Sequence, residues 1–386
     1  MAREEGETKK PTTNRRIRKR LWCAVVVLII ALILLGLSWI SGLWGFQSAE
    51  EKLAAIEAER AIPDEENAAV IYSQLLDDYD EGSLWPDLPN RETYELTRCE
   101  PWLSKDHPEL ADWLEEQQGT TSQLLEASKI EKCRFPISID PQEMANKMRR
   151  LSAMRPWARL LVWAGNNDMA EGRVDAGLEK YLCPVQMGKH LGQQPVLVDY
   201  VTGLAVEGLG LRAIGCFIVE GDATETHLKG LEAALPQTKD NWSKDSSILR
   251  EVERLRSKIR YSPLRRLVLF WRYRDTKTFE RIHEIYARLL TNRRGNRILI
   301  ALRRYKTKTG HWPKSLDEIQ SSLSEEILTD PFSSGSFVYK LTDDSFKLYS
   351  RGENNVDEHG NYRGGADDWP IWPPIGRKTD DGDKKS

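Results

Sequence analysis

One stretch constrains this chain more than any other. Between Arg20 and Glu50 there is not a single Asp, Glu, Lys or Arg. Its centre, "LWCAVVVLIIALILLGLSWI", is about 20 residues long, enough to cross a hydrocarbon layer of about 30 Å as a helix. Five cations precede it in "RRIRKR", Arg15 to Arg20, and seven acids follow between Glu50 and Glu66. That asymmetry places the N-terminus in the cytoplasm and the body outside. Trp39 and Trp44 stand near the far end, where interfacial aromatics belong. The expectation is a cytoplasmic basic tail (1–20), one transmembrane anchor (21–43) in the inner, cytoplasmic membrane, and a periplasmic body. A cleaved signal peptide is the competing reading. It is disfavoured because the run exceeds an ordinary signal core and no A-x-A site follows it.

Length allows two or three domains in the 386 residues. The net charge of −3 gives no whole-chain field for nucleic acid. From about Glu50 to Pro236 apolar residues recur at three- and four-residue spacing, broken by short Gly/Asn/Pro stretches. This predicts stacked helical hairpins, a solenoid-like domain over 50–290. Asp64, after Pro63, is the expected N-cap of one helix. The segments "MANKMRRLSAMRPWARLLVWAGNN" and "MAEGRVDAGLEKYLCPVQMGKHLG" form a pair whose Ala/Gly spacing resembles tetratricopeptide helices, without a 34-residue period.

Cys99, Cys133, Cys183 and Cys216 lie in the exported body, where disulfides are permitted. Cys99 with Cys133 and Cys183 with Cys216 are candidate pairs, and buried free thiols are the alternative. From Arg250 to Lys308 there are 19 Lys/Arg against five Asp/Glu. Within it, "PLRRLVLFWRYR" suits a helix lying on anionic lipid or a packed amphipathic helix with its arginines in water.

After about Arg293 the pattern changes. "GNRILIALRRYKTKTGHWPKSLDEI" predicts a helix closed at Gly310, then a short helix capped by Ser315. "SFVYKL" and "SFKLYS" alternate as two strands with Asp343 and Asp344 at the hairpin tip. Asp330, before Pro331, reads as a turn-starting residue. Then "SRGENNVDEHGNYRGGADDWP" sets acids and amides among Gly352, Gly360, Gly364 and Gly365. Almost nothing in it can build a core. Calcium takes six to eight hard oxygens, and glycine lets backbone wrap close. Asn354, Asp357, Asp367 and Asp368 are the candidate ligands. A solvated glycine-rich loop is the alternative.

The order of these motifs resembles the soluble domain of the major pseudopilin of type II secretion. The residues that carry it are Tyr305, Gly310, Trp312, Pro313, Ser315, Leu316, Asp330, Pro331, Phe332, Tyr339, Leu348, Tyr349, Ser350 and Gly352. The resemblance spans about 293–372 and implies a small α+β module over 291–372 whose acidic loop binds calcium. It departs in two places. Asn354 stands where the family has Asp, and "EHGNYRGG" adds Arg363. The prepilin start is not found near Leu21, so the module is expected as a reused part rather than a filament subunit. The whole chain also resembles membrane-anchored proteins of planctomycete-type bacteria.

No H-E-x-x-H, G-x-S-x-G or phosphate loop is present, and "HEIYA" at His283 lacks the second histidine. The fold class expected is mainly α, with an N-terminal transmembrane helix, a helical-hairpin domain, a C-terminal α+β module and a disordered tail (373–386). The function expected is non-catalytic: an anchored binding or scaffold protein with envelope or secretion-apparatus partners. A component of a type II secretion or pilus-like apparatus, and an exported metal-dependent hydrolase, are the alternatives.

Overall fold

A computed structural model describes Trp22, residues 25–33, 48–79, 85–86, Thr93, Thr97, 100–137, 141–260 and 276–374. The chain divides into two compact units, Met1–Ala54 and Ala55–Ser386. In the first, Trp22 and residues 25–33 are helical with exposed side chains. The rest of the expected anchor lies outside the described residues, as do the basic tail, Cys23, Cys99, the segment 263–274 and most of the C-terminal tail. Helix α1 (Ala49–Glu59) opens on a reciprocal cap: Glu51 N–H donates to Ser48 Oγ (3.0 Å), and Ser48 N–H to Glu51 Oε2 (2.8 Å).

The second unit is mainly helical, with a small three-stranded sheet near its end. Helices α2 (Ala68–Asp77), α3 (Pro108–Glu116) and α4 (Gln118–Lys129) precede three long ones, α5 (Pro141–Ala170), α6 (Val174–Gly192) and α7 (Leu197–Glu220). Asp64 does not cap α2. It starts a 3-10 turn, and Asn67 caps instead, accepting from Ala69 N–H at 3.1 Å. Asn67 also accepts from Arg134 N–H (2.8 Å) and donates to Arg134 O (3.1 Å), so a contact 67 residues away selects the cap.

Glycines let α5, α6 and α7 pack backbone to backbone. A Cβ on Gly188 would stand 2.7 Å from Gly203 O, and one on Gly210 would stand 2.6 Å from Tyr181 O. No other side chain fits there without a shift. One core lies under α2–α6, around Trp157, Trp163, Tyr72 and Leu110. The other joins α6 and α7 to α8 (Glu225–Ala234), α9 (Trp242–Arg260), α10 (Thr276–Thr309) and the sheet. Among the described residues one helix, α7, is long and apolar enough to cross a membrane, and it is mostly buried inside the protein. It is apolar nearly all round because it sits between layers.

The 34-residue α10 runs unbroken through the expected boundary at 290/291. Its arginines tie off neighbouring helix ends, where carbonyls lack partners. Arg303 donates to Val219 O (3.2 Å) and Gly221 O (2.7 Å), and Arg297 to Leu235 O (3.0 Å). Arg293 grips the buried Glu207 of α7 through two bonds of 2.5 and 2.7 Å. Gly310, at φ 85, closes α10 by donating to Lys306 O at 2.8 Å. Ser315 precedes a 3-10 turn rather than a capped helix, and its hydroxyl donates to Asp317.

The short helix α11 (Glu325–Leu328) leads to β1 (Val338–Leu341), β2 (Phe346–Ser350) and β3 (Trp369–Trp372), in antiparallel order 1-2-3. Leu341 pairs with Phe346, which leaves Asp343 and Asp344 at the tip as the sequence predicts. The third strand was not expected. "WPIW" lacks alternation, and Pro370 is tolerated because β3 is an edge strand. Cys183 and Cys216 do not join in a disulfide, which corrects that pairing, and Cys133 is likewise a buried thiol; the Cys99 side of the expected Cys99–Cys133 pair lies outside the described residues. The Cys183 thiol turns away from α7 to donate to Leu124 O of α4 at 3.3 Å.

Candidate functional site

The loop between β2 and β3 is drawn shut by two adjacent acids at the foot of β3. Gly352 has φ 65, and a Cβ there would overlap the Asp367 backbone. Glycine alone suits that turn. Asp367 Oδ2 accepts the N–H of Glu353 (2.9 Å) and of Asn354 (3.0 Å). Successive backbone N–H groups aimed at one oxygen form an anion-holding nest. Asp368 is wholly buried and its Oδ2 accepts Gly360 N–H at 2.7 Å. The two acids therefore pin separate parts of the loop.

Beneath them Asp330 organises the turn at the end of α11. It is fully buried and accepts from the Ser350 hydroxyl, the Ser333 hydroxyl (3.0 Å) and Phe332 N–H (3.1 Å). Ser350 Oγ in turn accepts Gly352 N–H at 3.1 Å. The Asp-Pro step thus reaches the acidic loop through one hydroxyl, in keeping with the turn-starting role expected of it.

The four expected ligands separate into two pairs. Asn354 uses its Oδ1 to accept Val356 N–H (2.6 Å) and donates to Glu358 Oε1 (2.7 Å). Asp357 is also committed: it accepts from the Tyr349 hydroxyl (2.6 Å), Lys340 Nζ (2.9 Å) and His359 N–H (3.0 Å). The Tyr349 hydroxyl, then the Lys340 ammonium, hold its carboxyl well below the usual range. Asp367 and Asp368 differ. Asp367 Oδ1 and Asp368 Oδ1 are shielded from water and receive no hydrogen bond from the protein, and Glu358 Oε2 shares that condition. Burial, with the neighbouring Glu358 carboxyl, pushes Asp368 up to about 6. Two carboxyls that face each other without a donor are reconciled by a shared proton or by a cation.

Glu358 was not among the expected ligands. Its one signal in the sequence is its place in the acid-rich stretch, and only the folded loop sets it beside Asp368. Arg363, the other departure from the family's loop, lies 5.8 Å from the Tyr362 ring. The orphaned oxygens fit a hard cation; Asn354 and Asp357 as placed do not. Among the described residues no three His, Cys, Asp or Glu side chains already surround a common metal position. A bound cation would therefore draw Asp367 toward the Glu358–Asp368 pair and fill its shell from backbone carbonyls or water.

Compared with known proteins, the chain matches no family model, no curated protein and no solved structure. The pseudopilin-like reading consequently rests on the order of motifs in the sequence alone.

Proposed function

We propose that the protein is a non-catalytic, membrane-anchored binding or scaffold protein of the cell envelope. Its N-terminus is cytoplasmic, and its body stacks helical hairpins against a pseudopilin-like C-terminal module. In this reading the β2–β3 loop of that module is a calcium clamp formed by Glu358, Asp367 and Asp368.

The observation that carries the anchored part is the charge-free run with cations before it and acids after it. The clamp is supported by three buried carboxylate oxygens left without donors in one loop. The buried charges of the helical body are committed to holding helices together. Asp199 of α7 pairs with Lys147 (2.6 Å) and Arg150 (2.9 Å) of α5, and Asp168 with Arg173 (2.7 Å) and Lys180.

Protease treatment of spheroplasts expressing the full chain tests the placement. The reading requires the body to be digested while an N-terminal tag stays protected in the membrane fraction. A body protected until the membrane is dissolved refutes it. Affinity capture from solubilised membranes tests the role. Envelope proteins are the expected partners, and recovery of a secretin or inner-membrane platform protein would reassign the chain to a secretion apparatus.

A further inference from the structure

Along the seam between α5 and α7, over α6, lies a cavity of about 480 Å³, the size of a small-molecule site. Gly165 and Met169 of α5 stand by Tyr181 and Gly177 of α6, and Gly203 and Gly210 of α7 stand by Gly188 and Tyr181. Both helices thus run antiparallel to α6 and in the same direction as each other. Arg159 marks one end of the cavity, and Ala170, Glu220 and Asp222 mark the other. Along α5 those ends are about 16 Å apart at 1.5 Å per residue. The trench between them is walled by Val162, Met169, Leu209, Ala213 and Phe217.

Most polar groups of this wall are already accounted for. Asn166 donates from Nδ2 to Thr97 O (2.8 Å) and accepts the Tyr181 hydroxyl at Oδ1 (2.6 Å). Arg212, Cys216 and Glu220 have partners as well, and Asp222 is exposed on the rim.

Arg159 is the exception. Among the described residues its guanidinium has no ion pair and no hydrogen bond; its neighbour is the Trp85 ring, centred 5.2 Å from Cζ. An aromatic face holds a cation without accepting from its N–H edges. The side chain is half-buried, and of its nitrogens only Nε is closed off, so both Nη groups stay reachable. A guanidinium that has lost part of its water and gained no acceptor is costly. Its planar fork is matched by a carboxylate held through two parallel bonds.

The head that suits this end is an anion, and the body that suits the trench is apolar. One guanidinium answers one negative charge, which fits a carboxylate better than a phosphate monoester of about −1.5 to −2. The acids at the far rim turn the same head away from that end. We infer that this cavity binds a long-chain fatty acid, its carboxylate on the Arg159 Nη groups and its chain running along the trench toward Ala170. The inference stands apart from the acidic loop and from the anchor.

The test photolabels the full chain with dodecanoic acid carrying a diazirine at its methyl end, with adducts mapped by mass spectrometry. Adducts are expected within 166–174 and 213–221, away from Arg159. Asn166, Met169 and Ala170 line this cavity but not its neighbour across α7, so adducts there identify the site. Dodecanoate should compete at about tenfold lower concentration than methyl dodecanoate, which keeps the chain and loses the charge. Arg159→Gln should bring that ratio to about one, and Arg159→Lys, a charge without the fork, should retain part of it. Ala170→Trp should weaken dodecanoate about tenfold and leave octanoate, whose chain stops short, unchanged. Circular dichroism checks that each variant folds. Equal competition by acid and ester on the unaltered chain overturns the inference, whether or not any variant folds. So does stronger competition by dodecyl phosphate or dodecylammonium than by dodecanoate. Labelling that is absent, confined to 21–43 or even over the surface overturns it too.

Discussion

Titrating calcium onto the full chain at pH 7.5 and again at pH 5 separates a cation clamp from a proton-sharing pair. Asp368 is held at about 6 against an ordinary 3.8. A carboxyl raised in the folded state binds its proton more tightly there than in the unfolded chain. The stability it contributes is therefore full below about 3.8 and is lost as pH rises through about 6. Without calcium, acidification from pH 7.5 to 5 stabilises the loop. With calcium the sign reverses, because the proton and the cation compete for the same oxygens. At pH 5 Asp368 is about nine-tenths protonated, which weakens the apparent calcium affinity about elevenfold. At free calcium 100 times the pH 7.5 dissociation constant, stabilisation is about 2.7 kcal/mol at pH 7.5 and about 1.4 kcal/mol at pH 5. Urea denaturation followed by circular dichroism, with calcium or with chelator, reads both numbers. Asp368→Asn should erase the calcium effect and the acid effect together. If the chelated chain is stabilised by acid but calcium adds nothing at pH 7.5, the pair shares a proton and the clamp is refuted.

Other consequences follow from buried polar pairs. Glu207→Gln strands the Arg293 guanidinium in the core and should cost about 3–5 kcal/mol in urea denaturation, and a second change, Arg293→Met, should recover most of it. His190 accepts the Tyr72 hydroxyl at Nδ1 (2.9 Å), so its Nε2 hydrogen donates to Ile130 O (2.8 Å). Burial lowers this imidazole to about 4. Its contribution is present above the ordinary 6.5 and lost as pH falls through about 4, so amide exchange near Ile130 should accelerate in that range, and His190→Phe should abolish the step. Arg303→Ala uncovers the Val219 and Gly221 carbonyls. It should cost about 1–3 kcal/mol and speed exchange at the C-terminal turn of α7.

What the sequence disclosed was local. The periodicity of α5 to α7, the glycine that ends α10 and the aspartates at the hairpin tip depend on residues within one or two turns of each other, and all were legible. What it concealed was set by distant partners. Asn67 displaces Asp64 as a cap because Arg134 holds both ends of its amide. In one dimension the arginines of α10 are only part of a basic run, whereas in the fold they close helices whose ends lie about 60 to 80 residues upstream. β3 exists because β2 offers it an edge, since its own four residues do not alternate. In the acidic loop Asp367 and Asp368 could be picked out, but Glu358 could not. The commitment of Asp357 to Lys340 required knowing that β1 passes beneath it.

Glu207 has one more consequence, and it concerns synthesis rather than stability. Insertion machinery reads an emerging chain one segment at a time, and α7 passes the length and composition test for a membrane span. Arg293, which neutralises Glu207 in the finished protein, emerges 86 residues later. Until then a lone carboxylate near the middle of α7 raises the cost of partitioning into lipid by about 2.5–3.5 kcal/mol. On the proposed anchored topology the residue is a sorting signal before it is a pairing partner. On that topology Glu207→Leu should be recovered partly with α7 inserted beside the proposed anchor and everything after Glu220 returned across the bilayer.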